Sequence, residues 1–477
     1  MKAVAGAVLV AACALAATAA EWQDEIDAAA ARGGGRVTIP AGRHVTGGLM
    51  LKSNVELHLE KGAVLEGSPT TNDYPVVELP CSEGKWMAVV MAVGATNVAI
   101  TGEGEIYGNG TAFPQPESYG RLQEGWRPRG LFFGNCRGVT LKGFRLRDAG
   151  CWGCVVQCCE DVEIRGLTID NHSNANNDGI DIEAFNAVIA DCDIDASDDG
   201  VCLKSNNPEF RSGNILVSNV TARSHCAALK IGTASHGIVT NVLFVDCRLE
   251  APRRSFPDRR KSAKKKPAGA SWFWSEWRAG IFPPSKPGDD LSASAISIEC
   301  VDGGWVEDIT CRNITIDGTL APLFVRGGTR QKRATGAPPG KWHILRNILF
   351  ENIRGRSLSW YGNSVTGVEG CRVENVTLRN VHLTFPGGGE AAKKAVKAIP
   401  EMPGAGPGTC MFDTTLPASA LWARHVDGLV LDDVTIEPEY GTFDAREPYV
   451  LEDVTGCRVV EPKREARRAD GGRPFML

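Results

Sequence analysis

Val162-Glu163-Ile164-Arg165-Gly166-Leu167-Thr168-Ile169 holds two short runs in which apolar and polar residues alternate, separated by a two-residue break. Alternation at period two marks a strand with one buried face, and nothing in the stretch repeats at the 3.6 residues of a helix. With Φ for an apolar or small residue the pattern is Φ-x-Φ-x-x-Φ-x-Φ. It occurs before this stretch at Val139, Leu141, Phe144 and Leu146, and after it at Ala187, Ile189, Cys192 and Ile194. Further copies start at Ile215, Val242, Ile309, Ile348, Val376 and Leu429, and the first five starts lie 23 to 28 residues apart. One unit of this size cannot bury its apolar face alone. Stacking the units as parallel strands about 4.8 Å apart gives a continuous core. The expected fold is all-β: a single-stranded, right-handed parallel β-helix with an N-terminal cap and long rim insertions. A β-sandwich would require hairpin signals every few residues, and Asn-Gly or Asp-Gly pairs between short strands are too few.

The ends and interruptions follow from the same register. Residues 1–20 read as a cleaved signal peptide: Lys2, an apolar run from Ala3 to Ala16, then Ala17-Thr18-Ala19. The chain is therefore expected to be secreted or periplasmic, with Val10-Ala11-Ala12-Cys13 also legible as a lipoprotein box. Glu21 to Arg32 reads as a capping helix ended by Gly33 to Gly35, at the head of a β-helix over 21–460. Insertions are expected at about 250–293, 327–343 and 385–425, and 461–477 as a basic mobile tail. No segment after the leader is long and apolar enough to cross a bilayer.

A net charge of −5 over 477 residues leaves no global basic field, and no nucleic-acid recognition module is present. A local basic run from Arg253 to Lys266, followed by Trp272, Phe273, Trp274 and Trp277, fits an acidic polysaccharide, since rings stack on sugar faces and cations attract acidic polymers. Removing the leader takes Cys13 and leaves fifteen of the 16 cysteines. Cys192, Cys247 and Cys311 occupy inward template positions and read as small hydrophobes. Cys151, Cys154, Cys158 and Cys159 read as another strand, because no His/Cys pair accompanies them at zinc-ligand spacing. No metal or cofactor is called for.

Candidate chemistry sits at one corner of three consecutive coils. Aligning Asp178-Gly-Ile-Asp-Ile with Asp199-Gly-Val-Cys-Leu, and Cys202-Leu-Lys204 with Ala228-Leu-Lys230, brings Asp178, Asp199 and His225 together beside Asp198. The same alignment sets Lys204 and Lys230 side by side on the outer face. Carboxylates that close raise at least one pKa, leaving an acid and a base at one site, as glycoside hydrolysis requires. Asp181, Asp193 and Asp195 read as solvated turn residues.

At these residues the chain resembles glycoside hydrolase family 28, the polygalacturonases and rhamnogalacturonan hydrolases. The resemblance also rests on the Gly-Gly-Gly cap, Leu51-Lys-Ser-Asn-Val and Glu60-Lys-Gly-Ala-Val-Leu. Asn176-Asn-Asp178 resembles the family's Asn-Thr-Asp, and Asp198-Asp199 its Asp-Asp pair. What the resemblance implies is that Asp198 is the general acid, while Asp178 and Asp199 activate water and invert the anomeric centre. Ser224-His225-Cys226 matches the Gly-His-Gly block only at its histidine. Ser297-Ile298-Glu299 stands where the family has Arg-Ile-Lys, the block that binds substrate carboxylate, so a hydroxyl and an anion replace two cations. The carboxylate is then held by Lys230, Arg326 or Arg330, or the subsite takes a neutral sugar. The expected activity is hydrolysis of a pectic, galacturonate-containing polysaccharide by a monomer, exo-acting because the insertions wall one end of the groove. Two other classes stay open: a polysaccharide lyase on a similar helix, and a sugar-binding helix without catalysis.

Overall fold

The template copies stack in register. Val98, Val139, Val162, Ala187, Ile215, Val242, Ile309, Ile348, Val376 and Leu429 form one column of laterally paired residues, every pairing parallel. Each of them is buried, so the inward positions read from the sequence are the core. In this computed structural model the described residues are 21–113, 127–254, 292–332, 336–406, 408–412 and 414–460. The strands build a single right-handed parallel β-helix. The leader, most of the 250–293 insertion with Trp274, and the tail at 461–477 lie outside the described residues.

Each coil has a third strand face beyond the two runs of the template. It is made by Cys154 to Gln157, Ile180 to Glu183, Val201–Ser205, Ala227–Ser235, Ser292–Cys300, the end of Trp305–Gly327, Asn363–Thr366 and the start of Leu421–Pro438. Residues 421–424, expected inside the third insertion, belong to this face: Asn363 to Thr366 pair with Leu421 to Arg424. The template passed over it because its outward positions are filled by unlike residues from coil to coil.

Two corners are turned by residues at positive φ. Asn186, Asn214, Asn241, Asp308, Asn347 and Asn375 occupy one column, immediately before the first inward residue of each coil. Their side chains link coil to coil, Asn214 Nδ2 donating to Asn186 Oδ1 at 3.1 Å and Asn241 Nδ2 to Asn214 Oδ1 at 2.7 Å. A second ladder runs through Asp246, Asn313, Asn352 and Asn380. Asparagine tolerates the left-handed region better than other residues with a Cβ, and its amide both donates and accepts along a stack.

The helix at 21–31 closes the N-terminal end with Trp22, Ile26 and Ala29 buried on the first coil. Its last turn is closed by Gly34 N–H donating to Ala29 O at 3.0 Å. At the other end Leu451, Val459 and Val460 are exposed. Among the described residues no helix is long and apolar enough to cross a membrane. The described cysteines are unpaired, and all but Cys158 and Cys457 are buried.

Candidate active site

The third face positions the carboxylates. Ile180 pairs with Val201 and Val201 with Leu229, which sets Asp178, Asp199 and Ala227 in one row. Gly179 N–H donates to Asp199 O and Gly200 N–H to Ala227 O, both at 2.8 Å, continuing the ladder up to the corner. Asn177 locks the preceding loop: its amide donates to Ala149 O at 2.6 Å and Cys151 O at 2.9 Å, and its oxygen accepts Asn174 N–H at 2.6 Å. Of the Asn176-Asn177-Asp178 stretch, Asn177 is thus scaffold, while Asn176 Nδ2 reaches Asp198 Oδ2 at 3.2 Å.

The protons divide unequally. Burial, the adjoining Asp181 and then Asp198 and Asp199 hold Asp178 well above the carboxylate range. Burial and Asp199 push Asp198 up to about 6. Asp199 is the more deeply buried of the two, but the Lys230 ammonium lies 2.9 Å from it, and with Lys204 it outweighs burial and keeps that carboxyl below its ordinary value. Ala227 N–H supports the anion at 3.2 Å. Asp198, Asp199 and Cys226 bring ligand atoms within 4.8 Å of one another, close enough for an ion. One of the two carboxylates is already paired with the Lys230 ammonium, which leaves fewer free oxygen ligands than calcium takes and sets a cation beside the place a zinc ion would occupy.

Several expectations fail here. His225 does not share the row of Asp178 and Asp199, and lies two residues earlier in the same turn; Ala227 shares it, because the register pairs Cys202 with Lys230 and not Lys204 with Lys230. Matching the two Leu-Lys pairs had shifted that coil by two residues. His225 Nε2 contacts Arg254 O at 2.8 Å, and its ring meets the His172 ring edge-on, 5.6 Å between centroids. Lys230 and Lys204 both point outward but sit one pleat apart. Arg330 is bound to both Asp302 oxygens, and Arg326 donates to Gly367 O and Met402 O, with burial lowering its pKa to about 10. Both guanidiniums are already engaged by groups of the protein itself. Ser297 and Glu299 are buried; Ser297 Oγ donates to Glu299 Oε1 at 2.9 Å and Gly408 N–H to the same carboxylate. Asp195 is buried against His172 Nε2 at 2.8 Å, not solvated, whereas Asp193 is half-exposed and paired with Arg223 and Arg253.

Asp181 is the largest departure. It is 1% exposed, with neither oxygen accepting a hydrogen bond, and burial raises it to about 7. Together with Lys204 it lines a narrow recess, with Glu83, Trp86, Trp152, Gln157, Glu183 and Asn206. Lys204 Nζ lies 3.4 Å from Asp181, 3.7 Å from Glu83 and 5.0 Å from the centre of the Trp152 ring. Strand parity could have flagged Asp181 and Glu183, since both occupy outward positions beside Asp178. Glu83 and Trp86 come from a distant loop and leave no local signal.

Residues 31–266 match the sequence model of glycosyl hydrolases family 28. The chain belongs to this family. A probable polygalacturonase of Vitis vinifera is 26% identical over 236 residues, 46% of this chain and 48% of that one. This chain spans about half the length of that curated relative. Among solved structures, a family 28 exopolygalacturonase of Yersinia enterocolitica superposes with a TM-score of 0.61 at 17% identity, covering 93% of this chain and 75% of that one. A hyperthermoactive exopolygalacturonase of Thermotoga maritima gives 0.54 at 21% identity, over 76% and 82%. At such identities the structures establish a shared fold. Within the family match fall Asp178, Asp198, Asp199 and every residue lining the recess; Ser297, Glu299, Arg326 and Arg330 fall after it.

Proposed function

We propose that this family 28 chain hydrolyses glycosidic bonds of a pectic, galacturonate-containing polysaccharide, inverting the anomeric centre and releasing units from a chain end. The observation that carries the reading is the division of protons: Asp199 is held ionised by Lys230 while Asp198, its neighbour, keeps a proton up to about 6. Asp198 gives that proton to the glycosidic oxygen as the bond from the anomeric carbon breaks and its electron pair stays on the leaving oxygen. Asp199 takes a proton from the water whose oxygen forms the new bond. Asp178, protonated in the free site, orients this water, a different role from the base that the resemblance implies. Exo action is supported by the segment that covers the far side of the site, where Met402 O and Gly408 N–H engage Arg326 and Glu299, and by the exopolygalacturonases among its fold relatives. The leader supports export, so that the substrate is met outside the cytoplasm.

Asp178→Asn, Asp198→Asn and Asp199→Asn are each expected to lower kcat at least about a hundredfold with an unchanged circular dichroism spectrum. Near wild-type rates in any two would remove the assignment. Oxygens of Asp198 and Asp199 approach within 4.8 Å, closer than the roughly 6.5 to 9.5 Å of most inverting pairs. The anomeric configuration of the first product, read by NMR, therefore decides the stereochemistry; retention defeats the inverting reading, and an unsaturated product moves the chain to the lyases.

A further inference from the structure

Cys226 directly precedes the strand Ala227–Ser235, and its backbone is fixed on both sides. Its N–H donates to Ser224 Oγ at 2.8 Å, and that hydroxyl donates to Asp198 O. Its carbonyl accepts Ser294 N–H at 2.9 Å. The residue is buried, and so is Asp199 beside it. Other buried thiols of the β-helix give their S–H to backbone carbonyls: Cys192 to Ala190 O at 3.2 Å, Cys202 to Gly232 O at 3.0 Å and Cys247 to Val245 O at 3.3 Å. The Cys226 thiol is set against carboxylates, its sulfur and one oxygen each of Asp198 and Asp199 all lying within 4.8 Å of one another. Where Ser224-His225-Cys226 stands, the Gly-His-Gly block has a glycine in the place of Cys226, so this donor is an addition of the present chain.

Hydrolysis by Asp198 and Asp199 moves the negative charge of the site. Asp199 is the anion at the start; once it has taken the proton of water and Asp198 has given its own to the leaving oxygen, Asp198 is the anion. Lys230, 2.9 Å from Asp199, favours the starting arrangement. We propose that Cys226 is a positioning residue that follows this charge, its S–H donated to Asp199 in the resting enzyme and turned to Asp198 as the charge moves; the inference rests on reading the chain as a hydrolase. Rotation about the Cβ–Sγ bond exchanges the acceptor, and no proton leaves the sulfur. A thiol is a weak donor, and an ionised acceptor strengthens the bond it makes. Burial and then Asp199 hold the thiol well above its ordinary range, so the hydrogen to be donated stays in place. Its hydrogen bonding favours the ionised form of both carboxyls. The charged groups around the trio are Asp178 and Lys204 on the preceding coils, Lys230 on the strand that follows Cys226, and Glu299 on the next coil.

The test compares the full chain with its Cys226→Ala and Cys226→Ser variants, on oligogalacturonides and on rhamnogalacturonan oligosaccharides, across the pH range. Cys226→Ala should lower kcat roughly three- to tenfold with KM little changed, the scale of one hydrogen bond lost from the reacting groups. Both limbs of its kcat/KM profile should move to higher pH by about half a unit or more, because a donor shared by both carboxyls is gone. Cys226→Ser keeps a donor and should bring both limbs, and most of kcat, back toward wild type. Circular dichroism checks that both variants fold. Unmoved limbs in a folded Cys226→Ala overturn the proposal, as does a serine variant no better than the alanine one. A second readout needs no turnover: the infrared S–H stretch that Cys226→Ala removes from the wild-type spectrum should shift as Asp198 loses its proton at about 6. A band that keeps one frequency on both sides of that pH overturns the proposal as well. If the wild type cleaves none of the substrates, the hydrolase reading falls, and the infrared band alone decides whether the thiol is bonded to the carboxylates.

Discussion

Lys230 works through Asp199. Its ammonium is 4% exposed, 2.9 Å from that carboxylate and 4.0 Å from Glu299, which makes it a positioning residue and not the substrate-carboxylate ligand expected from the sequence. Lys230→Met removes the charge that keeps Asp199 ionised. The acid limb of the kcat/KM profile should then move up by roughly one to three pH units, the range an adjacent cation normally commands, with kcat falling and KM little changed. A rise in KM alone would instead return Lys230 to substrate binding. The alkaline limb belongs to Asp198: the general acid must hold its proton, so kcat/KM should decline above about pH 6. An alkaline limb that stays above pH 8 would separate Asp198 from the acid role.

At the scale of the element, the corner ladders are the feature that most constrains a coil. Asn214 sits at φ 53° and bonds to the asparagines on either side of it. Asn214→Ala loses both bonds and forces a Cβ without compensation into the left-handed region, for an expected loss of about 1 to 3 kcal/mol, whereas Asn214→Gly should lose less because glycine accepts that backbone. Thermal melts of the pair give the comparison; equal losses would show that the backbone angle is irrelevant. These ladders explain what could and could not be read in advance. The inward columns were legible because apolar residues repeat with fixed spacing, and Asp178 lies beside Asp199 because the Asp-Gly-Φ-x-Φ stretches align without a gap. The third face was legible only in pieces, Cys151 to Cys159 as a strand and the two Asp-Gly stretches as neighbours, since Asp181, Cys202, Lys230 and Ser297 share one column there and have no common chemistry. His225 was misplaced for a related reason: coil length changes between Asp199 and Lys230, and matching Leu203-Lys204 to Leu229-Lys230 selected a register two residues from the one in which Val201 pairs with Leu229. The recess drew on Glu83 and Trp86, which reach it only through tertiary packing.

For the whole molecule, the buried acids make stability depend on pH in a definite direction. Burial raises Asp198 to about 6, Asp181 to about 7 and Glu183 to about 8. The folded state binds these protons more tightly than the unfolded chain, whose carboxyls titrate near 4. Their contribution is complete below about pH 4 and is withdrawn as pH rises through about 8. Asp199 and Glu83, held below their ordinary values by lysines, act oppositely and lose stability in acid. Melting temperature should therefore peak at mildly acid pH and be lower at pH 8 than at pH 5; the reverse order in differential scanning calorimetry would contradict the burial of Asp181 and Glu183. A last consequence concerns the two ends. The helix at 21–31 closes one, while Leu451, Val459 and Val460 remain exposed on the final coil. Among the described residues the cap covers one end of the core and apolar side chains stay exposed at the other, so an encounter of two copies through that final coil would be a twofold, tip-to-tip pairing in which the capped ends face outward and take no part.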